Sequence, residues 1–402
     1  MPRRSGEINP MRTSRKIFRA QVLGLALAFA VAMLPVAVFN APALAAPSVN
    51  SNYYCLVDGK TCQPIISKNA DQMRPIASIT KMMTGILATE YADMNETATV
   101  TPFADRTAEY TIGLRAGQQL KLEELMKACL IKSANDAAVV LAEHVAGDEE
   151  LFAHMMSLKA FAMGAMHTHF RNSSGLPLEG AYSTAYDVAV MGRYALSNPE
   201  VARLVAMPEA EFKHPAYREP LTIRSTNGLI SSYPGITGIK TGTANESGKC
   251  LIASATRDNR DLIAVVLKSG DRTGDCARLL DYGFKQTRRT KVIDSHEVFK
   301  NVKIYKAARP YADIVPDRDL WLWMGESPPD IQKRVRMNYI LEAPLAKGSK
   351  VGEMDIYVDG QYIQTLELLA HEDVARESFF SKDMIPRLLN QIKTGINSLV
   401  RN

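Results

Sequence analysis

The sequence predicts an α/β domain with an antiparallel sheet between helical layers, followed by a small all-β domain and a C-terminal amphipathic helix. Three observations carry this. Apolar residues with helical spacing, such as Ile79, Met82, Met83, Ile86 and Leu87, lie between strand-like runs at 53–57 and 262–267. From Phe299 to Ala370 the pattern changes to short alternating segments with turn signals. Finally, Met384, Ile385, Leu388, Leu389, Ile392, Ile396, Leu399 and Val400 share one helical face.

The chain has 402 residues, 46% hydrophobic and 23% charged, enough for two domains with real cores. The first 45 residues read as a signal peptide: Arg3, Arg4, Arg12, Arg15, Lys16 and Arg19 precede an apolar run from Val22 to Phe39, and Ala43-Leu44-Ala45 offers a small-residue cleavage site. The run is long enough to span a membrane uncleaved, but Pro35 within it and the cleavage site after it favour removal. Cleavage takes away those six basic residues and Glu7, so the formal charge of +5 falls to zero and no nucleic-acid surface is implied. The remaining boundaries are expected at 46–287 for the α/β domain, 288–375 for the β-rich domain and 376–402 for the tail helix.

Residues 53–57 and 62–67 read as a strand pair around Asp58-Gly59. In an exported protein Cys55 and Cys62 are then either bridged across this hairpin or separate thiols, as the turn register decides. Cys129, Cys250 and Cys276 lie in apolar or helical patterns and read as buried thiols. No cysteine and histidine set has zinc-finger spacing, and His167-Thr168-His169 lacks a third ligand, so no metal is expected.

The stretch PIASITKMMT, from Pro75 to Thr84, places Ser78 three residues before Lys81 on one helix face. A serine hydroxyl is a weak nucleophile until a neighbour takes its proton, and a lysine does this once burial or nearby cations lower its pKa. Ser-x-x-Lys alone is a weak signal, so two further motifs have to support it. Helical spacing at 122–131 and again at 137–145 makes Lys132-Ser133-Ala134-Asn135-Asp136 a turn between helices, able to aim Ser133 and Asn135 into one cleft. Serine and asparagine are also ordinary helix caps. GITGIKTGTANESG, from Gly235 to Gly248, sets glycines on both sides of Lys240, which lets a strand backbone approach a substrate. Lys240 brings a charge able to lower the Lys81 pKa and hold a carboxylate, Thr241 adds a hydroxyl, and the N–H groups of Ser78 and Thr243 are candidates for an oxyanion hole. Residues 250–255 and 262–267 follow as strands of one antiparallel sheet. A second Lys-Thr-Gly at Lys393 lies in a helical pattern and reads as coincidence.

Ser78-Ile79-Thr80-Lys81, Ser133-Ala134-Asn135 and Lys240-Thr241-Gly242, in this order, resemble the motifs of penicillin-recognising serine enzymes. The wider strings FRNSSGL, YSTAYD, TNGLI and GIKTGTANESGKC are similar to the serine D-alanyl-D-alanine carboxypeptidases, the low-molecular-mass penicillin-binding proteins. The resemblance implies a serine β-lactamase/transpeptidase-like domain. It implies Ser78 as acylated nucleophile, Lys81 as its base, Ser133 and Asn135 as proton relay and substrate anchor, and Lys240 as electrostatic anchor. Arg272 is a candidate partner for the substrate's terminal carboxylate, with a surface ion pair as the alternative. The implied partners are a peptidoglycan stem peptide and acylating β-lactams, with no cofactor. Ser174, Thr237 and Thr226 depart from the residues common in the family, which are histidine, aspartate and, in some relatives, arginine.

Two enzyme alternatives share this chemistry. A β-lactamase needs a deacylating glutamate, and no convincing E-x-x-L-N string precedes the Lys240 motif. A D,D-endopeptidase would use the same residues. A scaffolding protein with vestigial motifs is disfavoured because all five motif residues, Ser78, Lys81, Ser133, Asn135 and Lys240, are intact. The tail at 376–402 carries a charge of +3 with its apolar stripe, which suits a helix lying on the periplasmic face of the inner membrane, although packing on its own domain is the alternative.

Overall fold

The computed structural model describes residues 46–338, 340–377, 385–386 and 389–393. The expected signal peptide and most of the tail helix lie outside these residues.

Strand alternation builds the first architecture. Five antiparallel strands pair in the order Pro64–Lys68, Tyr53–Asp58, Arg260–Ser269, Gly248–Arg257, Ile236–Ala244. Successive side chains on a strand point to opposite faces. Cys55, Val57, Ile263 and Val265 therefore join one core, with helices Lys81–Tyr91, Asn135–Ala146 and Ala185–Ser197. Tyr54, Leu56, Leu262, Ala264 and Val266 join the other, against helix Arg272–Gln286. The sheet thus lies between two apolar layers, the transpeptidase-like α/β arrangement expected, and the Lys240 strand forms one edge of it.

The first hairpin differs from a tight two-residue turn. Asp58 Oδ1 accepts from the N–H groups of Lys60 and Thr61 at 3.2 and 2.9 Å, and the chain returns to strand only at Pro64. Cys55 consequently stands opposite Ser67, while Cys62 sits in the turn at φ +58°. The two are not across from each other, and both are free, buried thiols, as are Cys129, Cys250 and Cys276. Burial pushes the Cys62 thiol up to about 11.

The all-β part has its own core, formed by residues such as Ile314, Met354, Ile356, Leu366 and Leu368. Its sheet runs Lys300–Lys303, Tyr311–Pro316, Gln361–Ala370, Lys350–Val358, Ile331–Met337, and the Asp359-Gly360 hairpin closes with Val358 opposite Gln361. A second pairing, Arg288–Ile293 with Leu320–Met324, carries the contact to the α/β part. Gln63 is the clasp: its amide donates to the Trp323 carbonyl at 2.8 Å and accepts from the Trp323 N–H at 2.8 Å. Arg260 stacks on the Trp323 ring 3.5 Å from its centroid.

Candidate active site

Ser78 lies on a 3-10 turn, Ala77–Thr80, that runs into the helix beginning at Lys81. Ala77 has φ +49°, a conformation that non-glycine residues rarely adopt, and it is locked by what packs on it. A Cβ added to Gly242 on the Lys240 strand would stand 2.4 Å from the Ile76 carbonyl. One added to Gly175, at φ +79°, would stand 2.1 Å from the Ala77 carbonyl and 2.8 Å from Thr80 Oγ1. Two glycines thus let a strand and a loop close on the Ser78 turn. Gly175→Ala is expected to slow acylation of Ser78 about a hundredfold, the cost of displacing a reacting atom by roughly an ångström. The labelling rate with a fluorescent β-lactam checks this, and a wild-type rate would show that the loop does not position the serine.

Lys81 is 0% exposed, yet its Nζ has three acceptors: Ser78 Oγ at 3.0 Å, Asn135 Oδ1 at 2.5 Å and the Ser174 carbonyl at 2.6 Å. Those contacts satisfy an ammonium fully, and in the neutral amine the lone pair is free to face Ser78. Burial lowers Lys81 to about 8, with Cys129, Asp136 and Glu149 opposing the shift. The leading cause is thus desolvation and not a neighbouring cation.

Asn135 is oriented by the backbone of a loop. Its Nδ2 donates to the carbonyls of Ala108 and Glu109 at 3.3 and 3.0 Å, and its N–H to that of Tyr110 at 3.0 Å. This assigns Oδ1 to Lys81. The loop is held in turn by Asp136, whose buried carboxylate accepts from the N–H groups of Ile112, Gly113 and Leu114. Ser133 takes the left-handed conformation at φ +69° between a short π turn, Ala128–Lys132, and the Asn135 helix, which turns its hydroxyl toward the Lys240 strand.

Lys240 is 1% exposed and donates to Ser133 Oγ at 2.8 Å and to the Thr241 carbonyl at 3.3 Å. Burial is the main cause that lowers it to about 7, and the Lys81 charge adds to the shift. Cys129, behind both lysines, stays protonated, because burial raises its thiol to about 11 even against their charges. The Thr241 and Thr226 hydroxyls lie 2.6 Å apart. Arg272 Nη1 donates to the Gly242 carbonyl at 2.9 Å and to Thr243 Oγ1 at 2.8 Å, so it is bound to the strand itself and is not in a surface ion pair. Burial lowers the Arg272 pKa as well.

Ser78, Lys81, Ser133, Asn135, Lys240, Thr241, Thr243 and Arg272 are thereby linked through hydrogen bonds and close packing into one cleft. Sequence reasoning missed three contributors: the Ser174 carbonyl, the Ala108–Tyr110 carbonyls and the Asp136 carboxylate brace. Only the last was open to reading, since Asp136 adjoins the Ser133 motif. Asp294, His296 and Asp319 are the three ligand-type groups that cluster among the described residues, and the Lys291 ammonium already pairs with both carboxylates at 3.0 and 2.8 Å.

Comparisons with known proteins agree with this geometry. Residues 40–271 match the family described as D-alanyl-D-alanine carboxypeptidase, and residues 288–376 match the penicillin-binding protein 5 C-terminal domain. The D-alanyl-D-alanine carboxypeptidase DacF of Bacillus subtilis is 29% identical over 336 residues, covering 81% of this chain and 86% of the relative. The crystal structure of DacD from Francisella tularensis shares the fold with a TM-score of 0.64 at 23% identity, covering 83% of this chain and 95% of that one. Penicillin-binding protein D2 of Listeria monocytogenes, solved in its ampicillin-bound form, superposes with a TM-score of 0.54 at 28% identity over 59% of this chain and 98% of its own. The match of more than half of the chain to the family, on a fold that gathers the serine, both lysines and the asparagine into one cleft, means that this chain belongs to the D-alanyl-D-alanine carboxypeptidase family.

Proposed function

We propose that the protein is a serine-type, penicillin-binding D-alanyl-D-alanine carboxypeptidase that removes the last D-alanine from peptidoglycan stem pentapeptides through an acyl-enzyme on Ser78. The observation that carries this reading is the 3.0 Å contact between Ser78 Oγ and a fully buried lysine amine whose pKa is lowered to about 8. Neutral Lys81 takes the Ser78 proton as the oxygen attacks the scissile carbonyl. The tetrahedral oxyanion is held by the N–H groups of Ser78 and Thr243. Ser133, bonded to Lys240, relays the proton taken up by Lys81 to the departing D-alanine amine, and water, giving its proton to the again neutral Lys81, then hydrolyses the ester. Lys240, Thr241, Thr243 and Arg272 hold the terminal carboxylate. Mass analysis of a defined pentapeptide tests the reading. Loss of one alanine is expected from the free acid and little turnover from its C-terminal amide. Equal turnover of acid and amide would favour cleavage of cross-bridges instead.

Export and anchoring on the outer face of the cytoplasmic membrane belong to the same proposal. Ile385, Leu389 and Ile392 of the tail, spaced i, i+4 and i+7 in helical residues, are 57%, 57% and 50% exposed. Polar residues interrupt the apolar stripe of the tail from Met384 to Val400, so the tail is read as lying in the interface with its basic residues toward lipid phosphates. Each such residue contributes about 1 kcal/mol at an anionic surface. Full-length mature protein is expected to sediment with anionic vesicles at low salt, and a chain cut after Arg376 to stay in solution with its activity. Both remaining in the supernatant would make the tail a packing helix.

A further inference from the structure

The chain has two tryptophans, Trp321 and Trp323, and both line one cleft of about 1320 Å³ between the α/β part and the β-rich part. Strand alternation puts them there. Where Arg288–Ile293 pairs with Leu320–Met324, Trp323 stands opposite Arg289 and Trp321 opposite Lys291, while Leu320 and Leu322 alternate with them and enter the core of the β-rich part. The facing wall comes from the α/β part: the turn from Asp58 to Gln63, Arg193 on helix Ala185–Ser197, and the turn from Asp258 to Asp261. Trp321 is 42% exposed, and among the described residues neither indole N–H has a hydrogen-bond partner. Lys60, Arg193, Arg289, Asp258 and Asp261 line the same cleft, and none of them is in an ion pair with a described residue. The reaction described above uses none of these groups.

The chemistry of the lining says what fits it. Small apolar ligands take pockets lined mainly by hydrophobic side chains, whereas here polar groups surround two indoles. A polyanion is disfavoured, because Asp58, Asp258 and Asp261 stand among the cations Lys60, Arg193, Arg260 and Arg289. An uncharged sugar matches both halves of the lining. Its ring offers a face of C–H groups to the electron-rich indole face, and its hydroxyls both donate and accept toward guanidinium, carboxylate and amide groups. We propose that this cleft is a saccharide-binding site that holds a stretch of glycan strand built of N-acetylated amino sugars, with one ring stacked on Trp321 and its hydroxyls on Arg193 and Asp258. The choice of glycan rests on the peptidoglycan reading above, since stem peptides are attached to such a strand. The cleft is remote from Ser78. Thr243 pairs with Lys249 at one end of strand Gly248–Arg257, and Asp258 follows the other end, about 30 Å away at the usual rise per residue. The bound sugars are therefore not those that carry the peptide being cut. They tether the strand, so that stem peptides elsewhere along it meet Ser78 at a raised local concentration.

Intrinsic fluorescence reads this cleft directly, because the chain has no other tryptophan. Titrating the mature protein with peptide-free glycan strands, or with the tetramer of N-acetylglucosamine, is expected to shift the emission saturably. Calorimetry should find binding about tenfold weaker in Trp321→Ala and in Arg193→Ala, the scale of one stacking contact or one hydrogen bond to a charged group; the second variant keeps both fluorophores. Pentapeptide still attached to glycan strands should be trimmed with a kcat/KM about tenfold above that of free pentapeptide, and Trp321→Ala should erase this advantage. Turnover of free pentapeptide and labelling by a penicillin should stay at wild-type values in both variants, which verifies that they are folded. No saturable shift with either saccharide, or wild-type affinity in both variants, would overturn the saccharide site and leave the carboxypeptidase in place. Saccharide binding that both variants weaken, with no turnover of any pentapeptide, would uphold the site and overturn the carboxypeptidase reading.

Discussion

Ser78→Ala is expected to abolish covalent labelling by penicillin, and Lys81→Ala to slow it by roughly 10²–10⁴-fold, the usual contribution of a positioned general base. The two losses differ in kind. Without Ser78 there is no oxygen to acylate, whereas without Lys81 the hydroxyl remains but its proton has no acceptor within 3.0 Å. The Lys81 variant also leaves Asn135 Oδ1 and the Ser174 carbonyl without their donor in a buried site, each costing about 1–3 kcal/mol. Thermal unfolding must therefore accompany the rate measurement to separate lost chemistry from lost structure. Lys81→Met, which fills the same volume without the charge, serves as the second variant. Peptide mapping by mass reads the position of the label. A label on Ser133, the other serine hydroxyl in the cleft, would sink the assignment of Ser78.

Much of this site was legible because side-chain chemistry at short spacing has a signature. Ser78 and Lys81 meet across one turn, and Ser133 and Asn135 across another. That Lys240 binds Ser133, 107 positions earlier, and that burial more than a neighbouring charge lowers Lys81, emerges only when three elements pack together. The Ser174 carbonyl had no signature at all, since every residue has a backbone oxygen and only the fold aims this one at an amine 93 positions away. At the level of elements the same logic holds. The Asp359-Gly360 hairpin was plain from its turn dipeptide. Helix Glu149–Ala162 was not read, because Leu151, Leu158 and Phe161 are exposed and blur the apolar stripe. Strand Arg288–Ile293 was hidden by its charges, which suit a strand with a single pairing partner. Cys62 was placed in a strand by its apolar neighbours, while Asp58 captures the following N–H groups and holds it in the turn.

The dependence of acylation on pH is expected to be bell-shaped, with limbs near the two lysine values. Burial opposes both ammoniums and their repulsion is mutual, so the pair gives up one proton near 7 and the second near 8. The proposed chemistry needs Lys81 neutral, to accept the Ser78 proton, and Lys240 charged, to attract the substrate carboxylate. That demand is met by the minor of the two one-proton forms, since Lys81, at about 8, holds a proton more tightly than Lys240, at about 7, and the active fraction still follows the one-proton pair. Below about 7 both are protonated and the base is occupied; above about 8 both are neutral and the anchor has lost its charge. Hence kcat/KM, which reports the free enzyme, should peak between these values and fall about twentyfold from that peak at 1.5 units beyond either limb. Lys240→Ala separates the two roles. It removes a buried charge from the carboxylate site, which is expected to lower kcat/KM by about a hundredfold or more. It also removes the second ionisation, so the residual activity should rise through a single limb near 8 and stay level at higher pH. Profiles with a penicillin and with the pentapeptide, for both proteins, give the measurement. An alkaline fall that persists unchanged in Lys240→Ala would assign that limb to another group and remove Lys240 as the charge that holds the carboxylate.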